Sequence, residues 1–421
     1  MKISHVLARI VAAFWPVFDR LVPKRTDFWA FSTHHLDTGK FIESQRALFE
    51  AVKKENGIKK LIFYRGSLAY ADVEDAVNYE FLDLQTWRGL YCLARCKVVL
   101  LTHSISMDFS LRWGARSYSV LRLHCLGRVV VNLSHGISLK SLNYTSSRKM
   151  LEHLDRNSYK SKERLGYAGM LASSDIHGYA MAAMFHPVNF QQIWVTGFPR
   201  NDFLLMADDS LPRYLSENIG RIRNLTKGRR LVLYAPTYRQ TRLSPTAYYY
   251  QFSPAEIDAL RSVLMRHDAV LAYRPHYFGN DSSGTNLDRY IDGELIVDAS
   301  KHVVDDVSAL VRESDIIMTD YSSVYVDGLY IDKPGICFAY DLDEYNSNQD
   351  GVLYDLDLIF PGAVFRTFDQ CVDRMDRILS GAMPDDGACF SKKMLYKHID
   401  FYNSRRVIER ILESTSGNGQ F

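Results

Sequence analysis

The stretch Ser314 to Pro334, SDIIMTDYSSVYVDGLYIDKP, decides the fold. Its apolar run Ile316-Ile317-Met318 stops abruptly at the polar residues TDYSS (319–323), and Asp327 follows about one helical turn later. A buried parallel strand that ends in a loop and leads into a helix produces this pattern. Because open α/β sheets bind ligands at the carboxyl ends of their strands, the TDYSS loop is a candidate ligand site.

The residue types in this loop suit a nucleotide. Ser322 and Ser323 would lie at the start of the helix, where free backbone N–H groups and hydroxyls bind anions. Asp327 is then placed to accept hydrogen bonds from a ribose diol, and we assign Asp320, in the same loop, to the nucleotide as well. The structural alternative makes Ser322 a helix cap and Asp327 a partner of the helix dipole.

Two further apolar runs end in donors and positive charge. LVLYAPTYR (231–239) ends with Thr237 and Arg239, and LAYRPH (271–276) ends with Arg274 and His276. In a doubly wound sheet the ends of parallel strands meet on one rim. Together with the two serines, these side chains predict a site for the phosphates of a nucleotide diphosphate.

Short apolar runs alternate with helical patterns along the chain. Many of the runs are continuous rather than alternating, as is typical of parallel strands covered on both faces. The candidate strands are Phe28–Phe31, Lys60–Tyr64, Val98–Thr102, Arg128–Leu133, Met170–Ser173, Gln192–Thr196, Leu231–Ala235, Ala269–Tyr273, Leu295–Val297, Ile316–Thr319 and Gly335–Phe338. Two such series predict an α/β protein with two doubly wound, Rossmann-like domains that face a cleft.

The expected domain limits follow from this pattern. An N-terminal segment covers 1–25, an acceptor-side domain 26–215 and a donor-binding domain 216–390. Terminal helices are expected at 391–413, and the Gly/Ser-rich tail 414–421 is expected to be disordered.

The first half contributes two candidate motifs. His135 ends the run VVVNLSHG (129–136), and Gly136 permits close approach of the backbone. A histidine at a strand end is a candidate general base, although a structural histidine is the alternative. In TGFPRND (196–202), Arg200 could reach the site or pair with Asp202.

Composition excludes several classes of protein. The 421 residues carry a formal net charge of +2, so nothing indicates a nucleic-acid partner. Six scattered cysteines lack zinc spacing and are expected to be buried and reduced. Asp341-Leu-Asp343 and Asp355-Leu-Asp357 match the spacing of metal-binding carboxylates in some glycosyltransferases, but this spacing is common by chance. We therefore predict no metal site and no required cofactor.

The N-terminal sequence MKISHVLARIVAAFWPVFDRLVPKR predicts an amphipathic helix. Its uninterrupted apolar run, 10–18, is too short to span a membrane, and no signal-peptide cleavage site follows. The apolar face comprises Ile3, Val6, Leu7, Ile10, Phe14, Val17, Phe18 and Leu21, and the flanking charges are Lys2, Arg9, Arg20, Lys24 and Arg25. Such a helix can lie on an anionic membrane surface, or it can pack on its own domain.

Taken together, the motifs resemble the CDP-glycerol glycerophosphotransferase family, which builds teichoic acids and related capsules. The matching segments, in the order of the family, are SHG (134–136), TGFPRND (196–202), LYAPTYR (233–239), YRPH (273–276), DDVSALVRESDIIMTDYSS (305–323) and VDGLYIDKP (326–334). They cover roughly residues 130–340. As a set they are specific, whereas each alone is not.

The resemblance implies a GT-B-like fold and transfer of a polyol phosphate from a CDP-activated donor, CDP-glycerol or CDP-ribitol. It also implies that the protein acts as a peripheral protein at the cytoplasmic face of the membrane, on a polyprenyl-diphosphate-linked or oligosaccharide acceptor. His135 would be the base, His276 would contact the donor pyrophosphate, and Ser322, Ser323 and Asp327 would belong to the donor site.

One segment departs from the family pattern. The family often has W-H-G-T-P-x-K, whereas this chain has Ser134-His-Gly-Ile-Ser-Leu-Lys140. We assign Gly136, Lys140 and Arg200 to the acceptor side, so the departure affects the acceptor more than the donor. The alternatives are a GT-B glycosyltransferase that uses a nucleotide sugar, a non-catalytic nucleotide-binding subunit of a polysaccharide assembly, and a hydrolysing epimerase.

Overall fold

The computed structural model describes residues 5–33, 39–112, 118–237, 239, 249–275, 285–381 and 387–416. The strands are β1 (Arg25–Ser32), β2 (Lys59–Tyr64), β3 (Tyr79–Asp83), β4 (Cys96–Leu101), β5 (Ser110–Arg112), β6 (Tyr118–Val120), β7 (Val129–Asn132), β8 (Gly169–Ala172), β9 (Ile193–Val195), β10 (Arg230–Tyr234), β11 (Ala269–Tyr273), β12 (Ile296–Asp298), β13 (Ile316–Thr319), β14 (Gly335–Phe338) and β15 (Val364–Phe365).

The α-helices lie mostly between these strands. They are α1 (His5–Leu21), α2 (Glu43–Val52), α3 (Trp87–Arg95), α4 (Ile105–Asp108), α5 (Arg148–Leu151), α6 (Tyr159–Glu163), α7 (Asp175–Met184), α8 (Pro199–Leu205), α9 (Arg213–Thr226), α10 (Pro254–Arg266), α11 (Val307–Glu313), α12 (Val324–Tyr330), α13 (Leu342–Asn348), α14 (Leu356–Ile359), α15 (Phe368–Leu379), α16 (Gly387–Leu395) and α17 (Asn403–Thr415). Short 3-10 helices occupy Asn143–Thr145, Arg164–Gly166, Phe190–Gln192, Asp208–Ser210 and Asn286–Tyr290.

Two parallel sheets contain nearly all the strands. The seven-stranded sheet has the order β3-β2-β1-β4-β7-β8-β9, and the six-stranded sheet has the order β12-β11-β10-β13-β14-β15. All pairings within both sheets are parallel. Numbered within its own sheet, each begins 3-2-1-4-5-6, which is the strand order of a doubly wound sheet. Strand order therefore reverses between β1 and β4 and between β10 and β13.

Every candidate strand read from the sequence is present. Their central residues are buried because helices cover both faces of a parallel sheet. The sequence missed three features: the strand β3, the two-residue strand β15, and the antiparallel hairpin of β5 and β6. β3 escaped notice because its sequence, YEFLD, carries charged residues at a sheet edge and lacks a continuous apolar run.

The chain forms two compact units. One comprises Met1–His135, Asp155–Tyr214 and Lys397–Phe421, and the other comprises Gly136–Leu154 and Leu215–Tyr396. This division differs from the expected domain limits in two places. The segment after His135 joins the second unit, and the C-terminal helix α17 joins the first. The expected cleft stays a prediction.

Helix α1 packs one side on the core of the first unit. Ala8 and Trp15 are buried, with Trp15 only 2% exposed, and Leu7 and Val11 are partly buried against the same core. Leu7 therefore lies on the packed side, apart from the exposed residues with which the sequence groups it on one apolar face. The opposite side leaves Val6, Ile10, Phe14, Val17, Phe18 and Leu21 exposed.

A buried ion pair fixes α1 in place. Arg128 Nη1 lies 2.7 Å from Asp19 Oδ2, and both side chains are fully buried. Arg128 also donates to the carbonyls of Leu93, Ala94 and Cys96 at the end of α3. Since the arginine holds both the helix and the sheet, the direction in which α1 faces is set by the fold.

The ends of the chain differ slightly from expectation. The terminal helices are α16 and α17, and α17 continues to Thr415, beyond the expected limit at 413. Residues 1–4 and 417–421 lie outside the described residues. The six cysteines are free thiols, and Cys389 is exposed rather than buried. Within the described part of the chain, no helix is both long enough and apolar enough to cross a membrane.

Candidate active site

The loops after β10 and β13 are tied together where strand order reverses in the second unit. Thr319 Oγ1 donates to the Ala235 carbonyl over 2.6 Å, and the Thr237 N–H donates to Asp320 Oδ1 over 2.9 Å. Thr237 is buried, and no residue in the described part of the chain hydrogen-bonds its Oγ1. The reversal of strand order leaves a crevice at such loops, so this is where an α/β sheet binds a ligand.

Arg239 lies fully buried between two carboxylates. Its Nη2 is 2.8 Å from Asp320 Oδ2, and its Nε is 2.7 Å from Asp341 Oδ2. Burial lowers the pKa of Arg239, but the two carboxylates outweigh this effect and raise it well above its usual value. The guanidinium also lies over the rings of Tyr321, Tyr340 and Tyr345.

Arg239, Asp320 and Asp341 form a buried ion-pair cluster, in which Arg239 and Asp320 neutralise each other. The sequence assigns Arg239 to the donor phosphates and Asp320 to the nucleotide, and both roles stay predictions. The geometry adds a supporting role, because the cluster joins the loops after β10, β13 and β14. Asp341, considered above as a metal ligand, is instead the second carboxylate of this cluster.

Ser322 and Ser323 stand at the start of α12. Both are partly exposed, and Ser322 Oγ accepts the Val324 N–H over 3.4 Å. Asp327 lies within the helix and is buried, 6% exposed. The two serines are therefore partly exposed at the strand end, whereas the residue predicted to meet the ribose is buried.

Arg274 follows β11 and anchors the next loop. Its guanidinium donates to the carbonyls of Ala299 and Val304, and it is partly buried. The predicted phosphate role of Arg274 is untested, and His276 lies outside the described residues.

Lys140 belongs to the second unit, not to the unit of the acceptor-side domain in which the sequence placed it. Its backbone pairs with Val352 in an antiparallel bridge, and the Ser141 N–H donates to the Gly351 carbonyl over 2.9 Å. Burial lowers the pKa of Lys140 to about 8, although Asp320 and Asp350 oppose the shift. Lys140 is thus electrostatically coupled to the cluster around Arg239.

His135 lies just beyond β7 in the first unit and is exposed. Its ring stacks on His103, with centroids 4.7 Å apart and planes inclined by 16°. Ser134 has φ +55° and Gly136 has φ +118°, so the backbone turns sharply on both sides of the histidine. Glycine is the residue that adopts the second of these conformations without steric cost.

The segment TGFPRND positions α17. Asp202 Oδ1 accepts the Asn403 N–H over 2.9 Å, and Asp202 Oδ2 accepts the Ser404 N–H over 2.8 Å. A Cβ added to Gly197 would stand 1.9 Å from Asn403 Oδ1. Arg200 is only 5% exposed, at the start of α8. Asp202 therefore caps the C-terminal helix, and the predicted acceptor role of Arg200 stays a prediction.

Sequence reasoning missed His103 and the two residues that hold its loop. His103 follows the run Cys96–Leu101 as His135 follows its own strand, so the same pattern could have identified it. Asp108 Oδ2 accepts the backbone N–H groups of Thr102 and His103 over 2.8 and 3.0 Å. Asn132 Nδ2 donates to the His103 carbonyl over 2.9 Å.

Metal-binding geometry is absent from the described residues. No group of three or more His, Cys, Asp or Glu side chains is placed there to hold an ion. Asp355, the other aspartate considered above, accepts the Asp357 N–H over 3.0 Å at the start of α14. These aspartates therefore act as helix and cluster partners in the structure.

Two parallel sheets with polar strand ends place the chain in the GT-B-like class. The solved structure of the wall teichoic acid polymerase TagF has the same fold, with a TM-score of 0.69 and 17% identity over 99% of this chain and 97% of that one. A TagF variant has also been solved after a soak with CDPG.

The sequence comparisons define the family. Residues 20–413 match the family described as CDP-Glycerol:Poly(glycerophosphate) glycerophosphotransferase, and the chain belongs to it. A teichoic acid glycerol-phosphate transferase of Staphylococcus aureus is 29% identical over 58% of this chain and 60% of its own length. A teichoic acid poly(glycerol phosphate) polymerase of Bacillus spizizenii is 27% identical over 52% of each chain. The matches thus span only about half to three fifths of these relatives.

Proposed function

We propose that the protein transfers glycerol phosphate, or another polyol phosphate, from a CDP-activated donor to a hydroxyl group of a lipid-linked or glycan acceptor. The observation that carries this proposal is the family match over 20–413, which includes both the His135 loop and the TDYSS loop. The position of the partly exposed Ser322 and Ser323, at the reversal of strand order, supports a nucleotide donor.

In the proposed reaction, the acceptor oxygen attacks the β-phosphorus of the donor. His135 takes the proton from the attacking hydroxyl, the new O–P bond forms, and the bond to the bridging oxygen breaks. CMP leaves with that bonding electron pair. Donors and positive charge around the phosphates stabilise the developing charge, which is the main source of catalysis in phosphoryl transfer. We assign this role to Thr237, Arg239, Arg274, His276, Ser322 and Ser323.

We further propose that no metal is essential, because cationic side chains and a helix start can offset phosphate charge. Turnover should persist when EDTA is added and no divalent cation is supplied. Activity that vanishes with EDTA and returns with Mg²⁺ would overturn this part of the proposal.

The proposed location is the cytoplasmic face of the membrane, with the protein bound peripherally. Support comes from α1, whose free side exposes Val6, Ile10, Phe14 and Leu21 and whose orientation is fixed by the Asp19–Arg128 pair. An apolar helix face with basic flanks binds anionic lipid surfaces. Sedimentation with anionic and with neutral vesicles tests this, with Phe14→Ser as the variant expected to weaken binding.

Calorimetric titration identifies the donor. The purified protein is titrated with CDP-glycerol, CDP-ribitol, UDP-N-acetylglucosamine and CMP, and the His276→Ala variant is compared with the unaltered chain. Selective binding of a CDP-polyol, weakened by the substitution, is the expected result. A preference for the UDP-sugar would indicate a glycosyltransferase. Binding of none of them would favour the non-catalytic alternative.

A further inference from the structure

The second imidazole beside His135 has no role in the reaction as described so far. We propose that His103 is a positioning residue, which holds the ring of His135 in the orientation needed to accept a proton. In the same proposal, protonation of the His103 ring is coupled to protonation of the His135 ring. The proposal rests on the proposed function in so far as it treats His135 as the general base.

Strand pairing brings the two histidines together. β4 and β7 are parallel neighbours, and Leu101 lies opposite Asn132 in their register. Both chains then leave the sheet at the same edge, which is why the two rings stack at 4.7 Å and 16°. His103 is the inner ring, with a side chain 15% exposed, whereas His135 is exposed. The His103 ring thus covers one face of the His135 ring.

Asn132 fixes both backbones at once. Its buried amide donates through Nδ2 to the His103 carbonyl and accepts the Ser134 N–H at Oδ1, over 2.9 and 2.8 Å. Ser134 is held at φ +55°, which is uncommon for a residue other than glycine. Such conformations persist where the surroundings impose them, often at functional sites. One side chain therefore sets the spacing of the two histidine loops.

The charges around the pair lie on the neighbouring elements. Asp108 of α4 places Oδ1 3.9 Å from His103 Nδ1. Glu163 of α6 accepts the Ile105 N–H, Lys160 Nζ lies 3.6 Å from the Met107 sulfur, and Arg65, just after β2, donates to the Met107 carbonyl. The Asp108 carboxylate favours a proton on His103. Two stacked cations would repel each other, so we expect a proton on one ring to disfavour a proton on the other.

The test uses three substitutions. His103→Ala removes the stacked ring, His103→Phe keeps a ring without nitrogen, and His153→Ala alters an exposed histidine of the second unit as a control. The titration midpoint of the His135 ring is followed by NMR in histidine-labelled protein, with the signal assigned by its loss in His135→Gln. kcat and KM for the donor are measured in parallel.

We expect both His103 variants to move the His135 midpoint by at least about 0.5 pH unit, because each removes the coupled partner. We expect His103→Ala to lower kcat about tenfold or more at unchanged donor KM, since a misplaced base loses alignment. His103→Phe should retain more of kcat, because its ring still supports His135. The control should change neither quantity.

A His135 midpoint that is unchanged in both His103 variants would overturn the proposal. Should the His103→Ala variant fail to fold, the midpoint in His103→Phe decides alone. Failure of the proposed function gives a different result: the unaltered protein then turns over no CDP-polyol, while the midpoints still shift and the coupling of the two rings stands.

Discussion

The loops after β7 and β13 look alike in sequence and differ in the structure. Each follows a buried apolar strand and carries polar residues predicted to do chemistry. After β7, His135 is exposed and is supported from behind by His103 and Asn132. After β13, the Asp320 carboxylate turns inward and pairs with Arg239. A polar strand end thus predicts where a site lies, but not which of its side chains face the ligand.

The reason lies in distant partners. Arg239 meets Asp341, 102 residues later in the chain, and the two loops of the histidine pair meet across 29 residues. No local pattern indicates either contact. The comparison therefore separates residues that a ligand can reach from residues that hold the loops, and each of the following experiments tests that separation.

The largest expected effect is that of Arg239→Met on stability. Removing one partner of a buried ion pair leaves an uncompensated charge, here on Asp320 and Asp341, and should cost about 3–5 kcal/mol in the free energy of unfolding. Denaturant unfolding measures this. Arg223→Met, which breaks the more exposed pair with Glu313, is the control and should cost about 1 kcal/mol or less. Normal stability with lost donor affinity would instead assign Arg239 to the ligand.

His135→Ala should act on the reaction and not on the fold. Loss of a general base lowers turnover by about 10²-fold or more, while donor affinity stays nearly unchanged. Steady-state kinetics with CDP-glycerol, together with calorimetry, measure the two quantities. Retained turnover would remove His135 from the reaction and leave it as an exposed structural histidine.

Gly197→Ala should disturb the contact with α17. The added methyl would collide with Asn403, and the backbone of the new alanine would also have to adopt φ +77°. Gly127→Ala has the same φ but nothing within 4 Å, so it isolates the backbone cost of about 1 kcal/mol. We expect Gly197→Ala to lose about 1–2 kcal/mol more than the control, because a backbone or side-chain shift is needed. Equal losses by thermal unfolding would contradict the close contact.

The last effect concerns pH and Glu163, behind the histidine pair. Burial raises the pKa of Glu163 to about 7 from its usual 4.5. An acid whose pKa is higher in the folded protein holds its proton longer there, so its stabilising contribution is complete below pH 4.5 and is lost as pH rises through 7. Glu163→Gln should remove about 3 kcal/mol of this pH dependence between pH 4.5 and 7. Parallel curves for both proteins would show that Glu163 titrates normally.

Much of the fold could be read from the sequence because parallel strands are continuous apolar runs, and every candidate strand was found. The edge strands β3 and β15 could not be read from the sequence, since β3 carries charged residues and β15 has only two residues. For the site, the strand ends were located, but burial of Asp327 and the pairing of Arg239 depend on packing between segments far apart in the chain. The membership of Lys140 and α17 in their units likewise follows from contacts that no local pattern records.

The contacts that hold α17 on the first unit have a consequence for folding during translation. Asp202 and Gly197 are translated about 200 residues before their partners Asn403 and Ser404. Domains generally fold as units while the chain is made, with the N-terminal one first. Here the first unit of the nascent chain lacks α17 until the whole second unit has been translated. Until then the nascent chain presents to chaperones a surface that the folded protein conceals.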